Sequence, residues 1–206
     1  PVSLNDSIWK WTVESSLREL PKKKKKYDYL YSDLGYTLIF RLVEKLIDEP
    51  VEDYLMREFY APLGMSRTMY QPRSKGYYKD VAPTEVDSYF RNTIVCGDVH
   101  DQNATLMGGI AGHAGLFSTA NDLAILLQMN LQMGYYAGKK YFEPWTIPIF
   151  TTPQSVENRR GMGWDKPITG TEEGPTSKFA SASTFGHTGF TGAAIWADPA
   201  EELVFV

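Results

Sequence analysis

The chain has 206 residues, 43% of them apolar and 14% aromatic, with 21 basic against 25 acidic side chains and a formal charge of −4. This apolar content excludes wholesale disorder, which needs low hydrophobicity and high net charge, and a single cysteine, Cys96, excludes a disulfide-stapled scaffold. No stretch approaches the roughly 18 uninterrupted apolar residues of a membrane span, and a pI near 5.4 removes the global electrostatic case for a nucleic-acid binder.

The opening residues, Pro1 to Asp6, lack a basic n-region and an apolar h-region, and there is no initiator Met, so the chain reads as an internal piece of a longer one. Ile8, Trp9, Trp11, Val13, Leu17 and Leu20 trace a loose helical pattern over 7–20. Lys22 to Lys26 follow Pro21 as five consecutive cations, read as a solvated loop, with docking of an anionic polymer as the alternative. Leu34, Leu38, Ile39, Leu42, Val43, Leu46 and Ile47 mark an amphipathic helix, and Asp33 stands where an N-cap carboxylate would accept its orphan N–H groups. A second helix covers about 51–60 and stops at Ala61-Pro62-Leu63-Gly64-Met65. Residues 71–104 read as a long excursion of turn formers and aromatics with little periodicity.

Four glycines among Gly108 to Gly115 predict tight backbone. Thr119-Ala120-Asn121-Asp122 resembles a capping box opening a helix from Leu123 to Met133, which ends at Gly134. Met162-Gly163-Trp164 reads as a strand. Ala193 to Ala197 and Leu203 to Val206 read as a hairpin around Asp198-Pro199-Ala200-Glu201. The last strand stops while still apolar, which predicts further chain beyond it. Helices first and sheet last make the fold class α+β.

Among chemical groups, His100 with Asp98, Asp101 and His113 invites a metal reading. Neither a His pair one helical turn apart nor a Cys/His zinc spacing is present, so loop histidines bonded to backbone are expected and no metal is. The glycine cluster lacks the lysine of a phosphate-binding loop, and no cofactor is expected. Gly186-His187-Thr188-Gly189-Phe190-Thr191-Gly192 leads straight into an apolar strand. Such a segment puts backbone N–H groups at a strand edge, where they bind a carboxylate or carbonyl and serve as oxyanion donors. Standing alone, it reads equally as a glycine-rich turn before a hairpin.

It is one of four ordered strings. Tyr31-Ser32-Asp33-Leu34-Gly35-Tyr36, Pro62-Leu63-Gly64-Met65, Gly115-Leu116-Phe117-Ser118-Thr119-Ala120-Asn121-Asp122-Leu123 and His187-Thr188-Gly189 together resemble the serine β-lactamase and penicillin-binding-protein superfamily. The nearest branch holds class C β-lactamases, D-alanyl-D-alanine carboxypeptidases and esterases. The resemblance runs from about residue 20 onward. It implies a β-lactamase/transpeptidase-like fold in which 1–206 form a single partial domain. About 20–183 would be a mostly helical lobe with loops, and 184–206 sheet strands carrying the His-Thr-Gly motif. By the same resemblance Tyr31 helps move the nucleophile's proton. His187, Thr188 and Gly189 bind the substrate's carboxylate side, and the Phe190 N–H is one of two oxyanion donors.

Two departures qualify this. Asp33 stands where the family usually has Asn, and a carboxylate cannot donate the hydrogen bond an amide offers a substrate carbonyl. Weak β-lactam turnover is therefore expected, with Asp33→Asn raising it. The nucleophile motif S-x-x-K belongs well upstream of the tyrosine. Ser7-Ile8-Trp9-Lys10 is too close to Tyr31, so the serine is expected outside this chain. The resemblance implies a bacterial parent, periplasmic or secreted, that acts through an acyl-enzyme on amide, ester or lactam carbonyls. Its expected partners are a small-molecule or peptide substrate and the upstream part of the same polypeptide, with no nucleic acid and no membrane span. A catalytically silent binding or structural domain of the same fold is the alternative.

Overall fold

Apolar spacing sets where helices form, and burial decides where they stop. The computed structural model describes residues 4–20, 22, 26–27 and 29–206, so three of the five clustered lysines, residues 23–25, lie outside the described residues. Helix α1 covers Leu4–Glu14. It ends well short of Leu20: Ser15 turns its hydroxyl back onto the Thr12 carbonyl (2.7 Å), and Leu17, 90% exposed, has no core to hold another turn. Helix α2 covers Asp33–Ile47, but Ser32 holds the cap position in extended backbone without a side-chain cap bond. Asp33 is therefore the first helical residue and not the cap, and its carboxylate sits in the turn where the helix dipole favours an anion.

Helix α3, Val51–Leu55, runs through a π-helical turn, Met56–Tyr60, into the short α4, Ala61–Leu63. The helical run thus passes its expected stop by three residues. Pro62 is tolerated because it sits in the first turn of α4, and Gly64 ends the run at φ 79°. Strand β1 is Met69–Tyr70. The excursion at 71–104 contains an antiparallel pair, β2 (Glu85–Asp87) and β3 (Thr93–Val95), each too short to show alternation. Then come α5 (Gln102–Leu106), β4 (Leu116–Phe117, antiparallel to β1) and α6 (Ala120–Leu131). Thr119 caps α6 by accepting the Asp122 N–H (3.2 Å), so this helix opens three residues before the expected Leu123.

Strands β5 (Tyr135–Tyr136) and β6 (Lys139–Lys140) form a small hairpin ahead of α7 (Thr146–Thr151). Met162-Gly163-Trp164 is not a strand, because Gly163 leaves extended backbone at φ 79°; the neighbouring Asp165 forms an isolated bridge to Gly186. Strands β7 (Phe185–Thr188), β8 (Ala194–Asp198) and β9 (Leu203–Phe205) make an antiparallel sheet in that order, with the expected hairpin as β8–β9. The fold class is α+β.

The chain divides into two compact units. The first, Pro1–Glu58 with Arg67–Ser118, centres on Val99, Ala104, Met107 and Ala111, with Ile8 and Ala114 against them. Gly112 lies so close to α2 that a Cβ there would meet the Tyr36 carbonyl and come within 2.9 Å of the Phe40 Cβ. The irregular stretch from Glu85 to Thr105 is gathered by one side chain. Arg91 bonds the Asp87 carboxylate (2.7 Å), Glu85 (3.1 Å) and the carbonyls of Val99 (2.6 Å) and His100 (2.7 Å).

The second unit is Phe59–Ser66 with Thr119–Val206. Helix α6 lies on β8 and β9. Leu127, Phe185 and Ala197 form the buried centre, and Trp164 meets Phe185 edge-on at 5.1 Å. Among the described residues no helix is long and apolar enough to cross a membrane.

Candidate active site

The His-Thr-Gly string lies at the end of β7, the outer strand of the three-stranded sheet. Gly186 exchanges both backbone bonds with Asp165 (2.7 and 3.1 Å) on the side away from β8. Alternate residues of an antiparallel strand direct their backbone groups to opposite neighbours, so Thr188 directs its own to that same open side. Gly189 faces inward, its N–H bonded to the Ala193 carbonyl at 2.6 Å. Phe190 follows with its side chain 93% exposed. Only glycine fits at 186: a Cβ would run into the Ile195 carbonyl and lie 2.5 Å from Trp196 Cε3.

Both nitrogens of the His187 ring have a partner. Nε2 lies 2.8 Å from Arg160 Nη1, and Nδ1 lies 2.7 Å from the Thr188 carbonyl oxygen. A guanidinium only donates and a carbonyl only accepts. Nε2 therefore carries the lone pair and Nδ1 the proton, which makes the ring the neutral Nδ1–H tautomer. The ring also occupies the outward carbonyl of Thr188, so the open edge offers its N–H beside the Arg160 cation. Such an edge suits an acceptor: a carbonyl or a carboxylate oxygen.

Arg160 is held in turn by Asp165 (3.1 Å), a carboxylate only 5% exposed that also takes Arg159 at 2.7 Å. Neither Arg160 nor Asp165 belongs to a sequence motif, and they lie more than twenty residues before the string they support. Nothing in the linear pattern signals them.

In the first unit, Tyr31 and Asp33 flank the start of α2. Tyr31 is 54% exposed in the extended segment before the helix. Asp33 is exposed in the first turn, and its backbone carbonyl accepts the Thr37 hydroxyl (3.2 Å). The structure thus keeps Tyr31 with Asp33 in one unit and His187, Thr188, Gly189 and Phe190 together in the other. The Ser7–Lys10 string lies on α1, where Lys10 pairs with Glu14 at 3.9 Å.

The loop histidines differ from the backbone-bonded pair expected. His113 Nε2 lies 3.0 Å from Asp101 Oδ1, and Asp101 also caps α5 through the Ala104 N–H (2.7 Å). Burial pushes the Asp101 carboxyl up, but the Ala104 amide and His113 outweigh it and hold the group below its ordinary range. His100 lies 3.9 Å from Glu85. Among the described residues no three His, Cys, Asp or Glu side chains are grouped to hold a metal ion.

Comparison with known proteins bears on this arrangement. The family described as Beta-lactamase matches residues 9–206. An N-acetylmuramyl-L-alanine amidase of Bacillus subtilis (strain 168) is 37% identical over 85% of this chain and 42% of its own length. An Escherichia coli (strain K12) protein, named provisionally as a D-alanyl-D-alanine carboxypeptidase, is 34% identical over 86% of this chain and 44% of its own. The chain thus spans less than half the length of these curated relatives. An octameric penicillin-binding-protein homologue from Pyrococcus abyssi superposes with a TM-score of 0.65 at 22% identity, covering 98% of this chain and 42% of that one. At that identity the likeness concerns the fold.

Proposed function

This chain belongs to the serine β-lactamase and penicillin-binding-protein superfamily, and on that premise we propose that it is part of a serine hydrolase working through an acyl-enzyme on amide, ester or lactam carbonyls. The observation that carries the reading is the donor edge at the end of β7, where a family string meets backbone geometry suited to a carbonyl or carboxylate. His187, Thr188 and Gly189 bind the substrate's carboxylate side, and the Phe190 N–H faces the oxyanion. Tyr31 relays the nucleophile's proton. The serine attacks the carbonyl, the leaving amine or alkoxide departs with a proton, and water hydrolyses the acyl-enzyme. The names of the relatives favour amide bonds of cell-wall peptides as substrate, and with them a periplasmic or secreted location.

The nucleophile lies on a further segment of the same polypeptide, and residues 1–206 form one partial domain: a helical lobe over about 20–183 and sheet strands over 184–206. The apolar ladder of α2 supports this. Leu34, Leu38, Leu42 and Leu46 recur one turn apart and are 50%, 43%, 56% and 75% exposed, a face that further chain of the same domain would cover.

Asp33 favours a second reading, a catalytically silent domain of the same fold. Intact mass after incubation with a fluorophosphonate, and separately with a penicillin, separates the two. An adduct on a longer polypeptide carrying the preceding segment, and none on the 206-residue chain, supports the hydrolase. No adduct on either supports the silent domain, and an adduct on the short chain refutes an external nucleophile. In the longer polypeptide Asp33→Asn raises penicillin turnover, because an amide donates where a carboxylate repels.

A further inference from the structure

The second unit contains a cavity of about 470 Å³ between α7, the loop after it and the start of β7, inside the range of roughly 300–1,000 Å³ typical of small-molecule sites. Much of its wall is apolar: Ile147, Pro148, Pro153, Pro167, Phe185 and Pro199. Two cations line it too: Arg159, paired with Asp165, and Lys166, only 7% of which is exposed. The Lys166 Nζ makes one hydrogen bond, to the Ser183 carbonyl at 3.0 Å. An ammonium carries three protons, so two donors remain for something else.

The surrounding charges do not supply it. The Asp198 carboxylate acts on Lys166 at a distance, but it already accepts the Ser181 N–H (2.9 Å), the Ser181 hydroxyl (2.5 Å) and the Ala200 N–H (3.0 Å). Asp165 is occupied by Arg159 and Arg160, and by the Lys166 backbone N–H at 2.8 Å. Three cations therefore share two buried carboxylates that are both committed elsewhere. Burying an unmatched charge is costly, and that burial holds the Lys166 amine below its usual range. An anion seated in the cavity would match it.

We propose that this cavity binds a small monocarboxylate with an apolar body, its carboxylate paired with Lys166 and its body against the proline and phenylalanine wall. None of residues 187–190 lines this cavity, and the proposal does not depend on the acyl-transfer reading. Isothermal titration of the 206-residue chain with octanoate tests it, with octanamide as the uncharged control of similar shape. The expected result is saturable 1:1 binding of octanoate, about tenfold or more weaker binding of octanamide, and a similar loss of octanoate affinity in Lys166→Met. No saturable binding of octanoate overturns the proposal. So does equal binding of octanamide, a comparison that needs no variant to fold. Undiminished octanoate affinity in a Lys166→Met protein with native circular dichroism overturns it as well.

Discussion

Replacing Gly186 by alanine places one methyl group where two strands meet. Its Cβ would collide with the Ile195 carbonyl and lie 2.5 Å from Trp196 Cε3, about 1–1.5 Å inside ordinary contact of about 3.5–4.0 Å. Movement outward is opposed, because Gly186 is bonded to Asp165 through both backbone groups at 2.7 and 3.1 Å. Relief therefore requires β7 to separate from β8 or from Asp165. Overpacking of this kind costs about 1–3 kcal/mol, and losing one or two ladder bonds adds about 1 kcal/mol each, for a total of about 2–5 kcal/mol. Gly138→Ala is the natural control. Gly138 has φ +80° but open space around it, so that substitution carries only left-handed strain, about 1–2 kcal/mol. Urea titration followed by tryptophan fluorescence reads both, since Trp196 touches the position and Trp164 packs on Phe185. Gly186→Ala no more destabilised than Gly138→Ala would refute the close approach of β7 and β8.

Thr119→Ala removes the hydroxyl that caps α6 and costs about 1 kcal/mol by the same titration. Asp101 is held below the ordinary carboxylate range, so its contribution is present above about pH 4 and lost as pH falls through the lowered folded value. Urea midpoints across the acid range therefore decline less steeply in Asp101→Asn than in the wild-type chain, and parallel declines would count against the Asp101–His113 pair. Arg160→Met removes the donor on His187 Nε2. Imidazole ¹⁵N shifts then move from the Nδ1–H tautomer to a mixture, whereas a wild-type ring with its proton on Nε2 would contradict the assignment.

Some of this was legible in the chain. Helices α2 and α6 announce themselves because their apolar residues recur with a 3.6-residue period, and β8–β9 because Asp198-Pro199 punctuates two apolar runs. Strands β2 and β3 do not, since three residues cannot display a period and Arg91, not a patterned face, gathers that region. Gly163 misleads in the opposite sense: flanking Met162 and Trp164 look like strand, while a left-handed φ breaks it. At the candidate site the string His187-Thr188-Gly189 was readable from its neighbours in sequence. The Arg160–Asp165 support was not, because it arises from a loop folded back on the strand edge.

The capped carbonyl of Thr188 has a consequence for self-association. An exposed edge strand is a template for other strands, which need alternating donors and acceptors to extend a ladder. Along the open side of β7, Asp165 already occupies Gly186 and the His187 ring takes the next acceptor. A second polypeptide therefore finds an N–H whose companion C=O already accepts the His187 ring proton. The edge suits one small acceptor better than the long ladder a neighbouring strand would need to aggregate there.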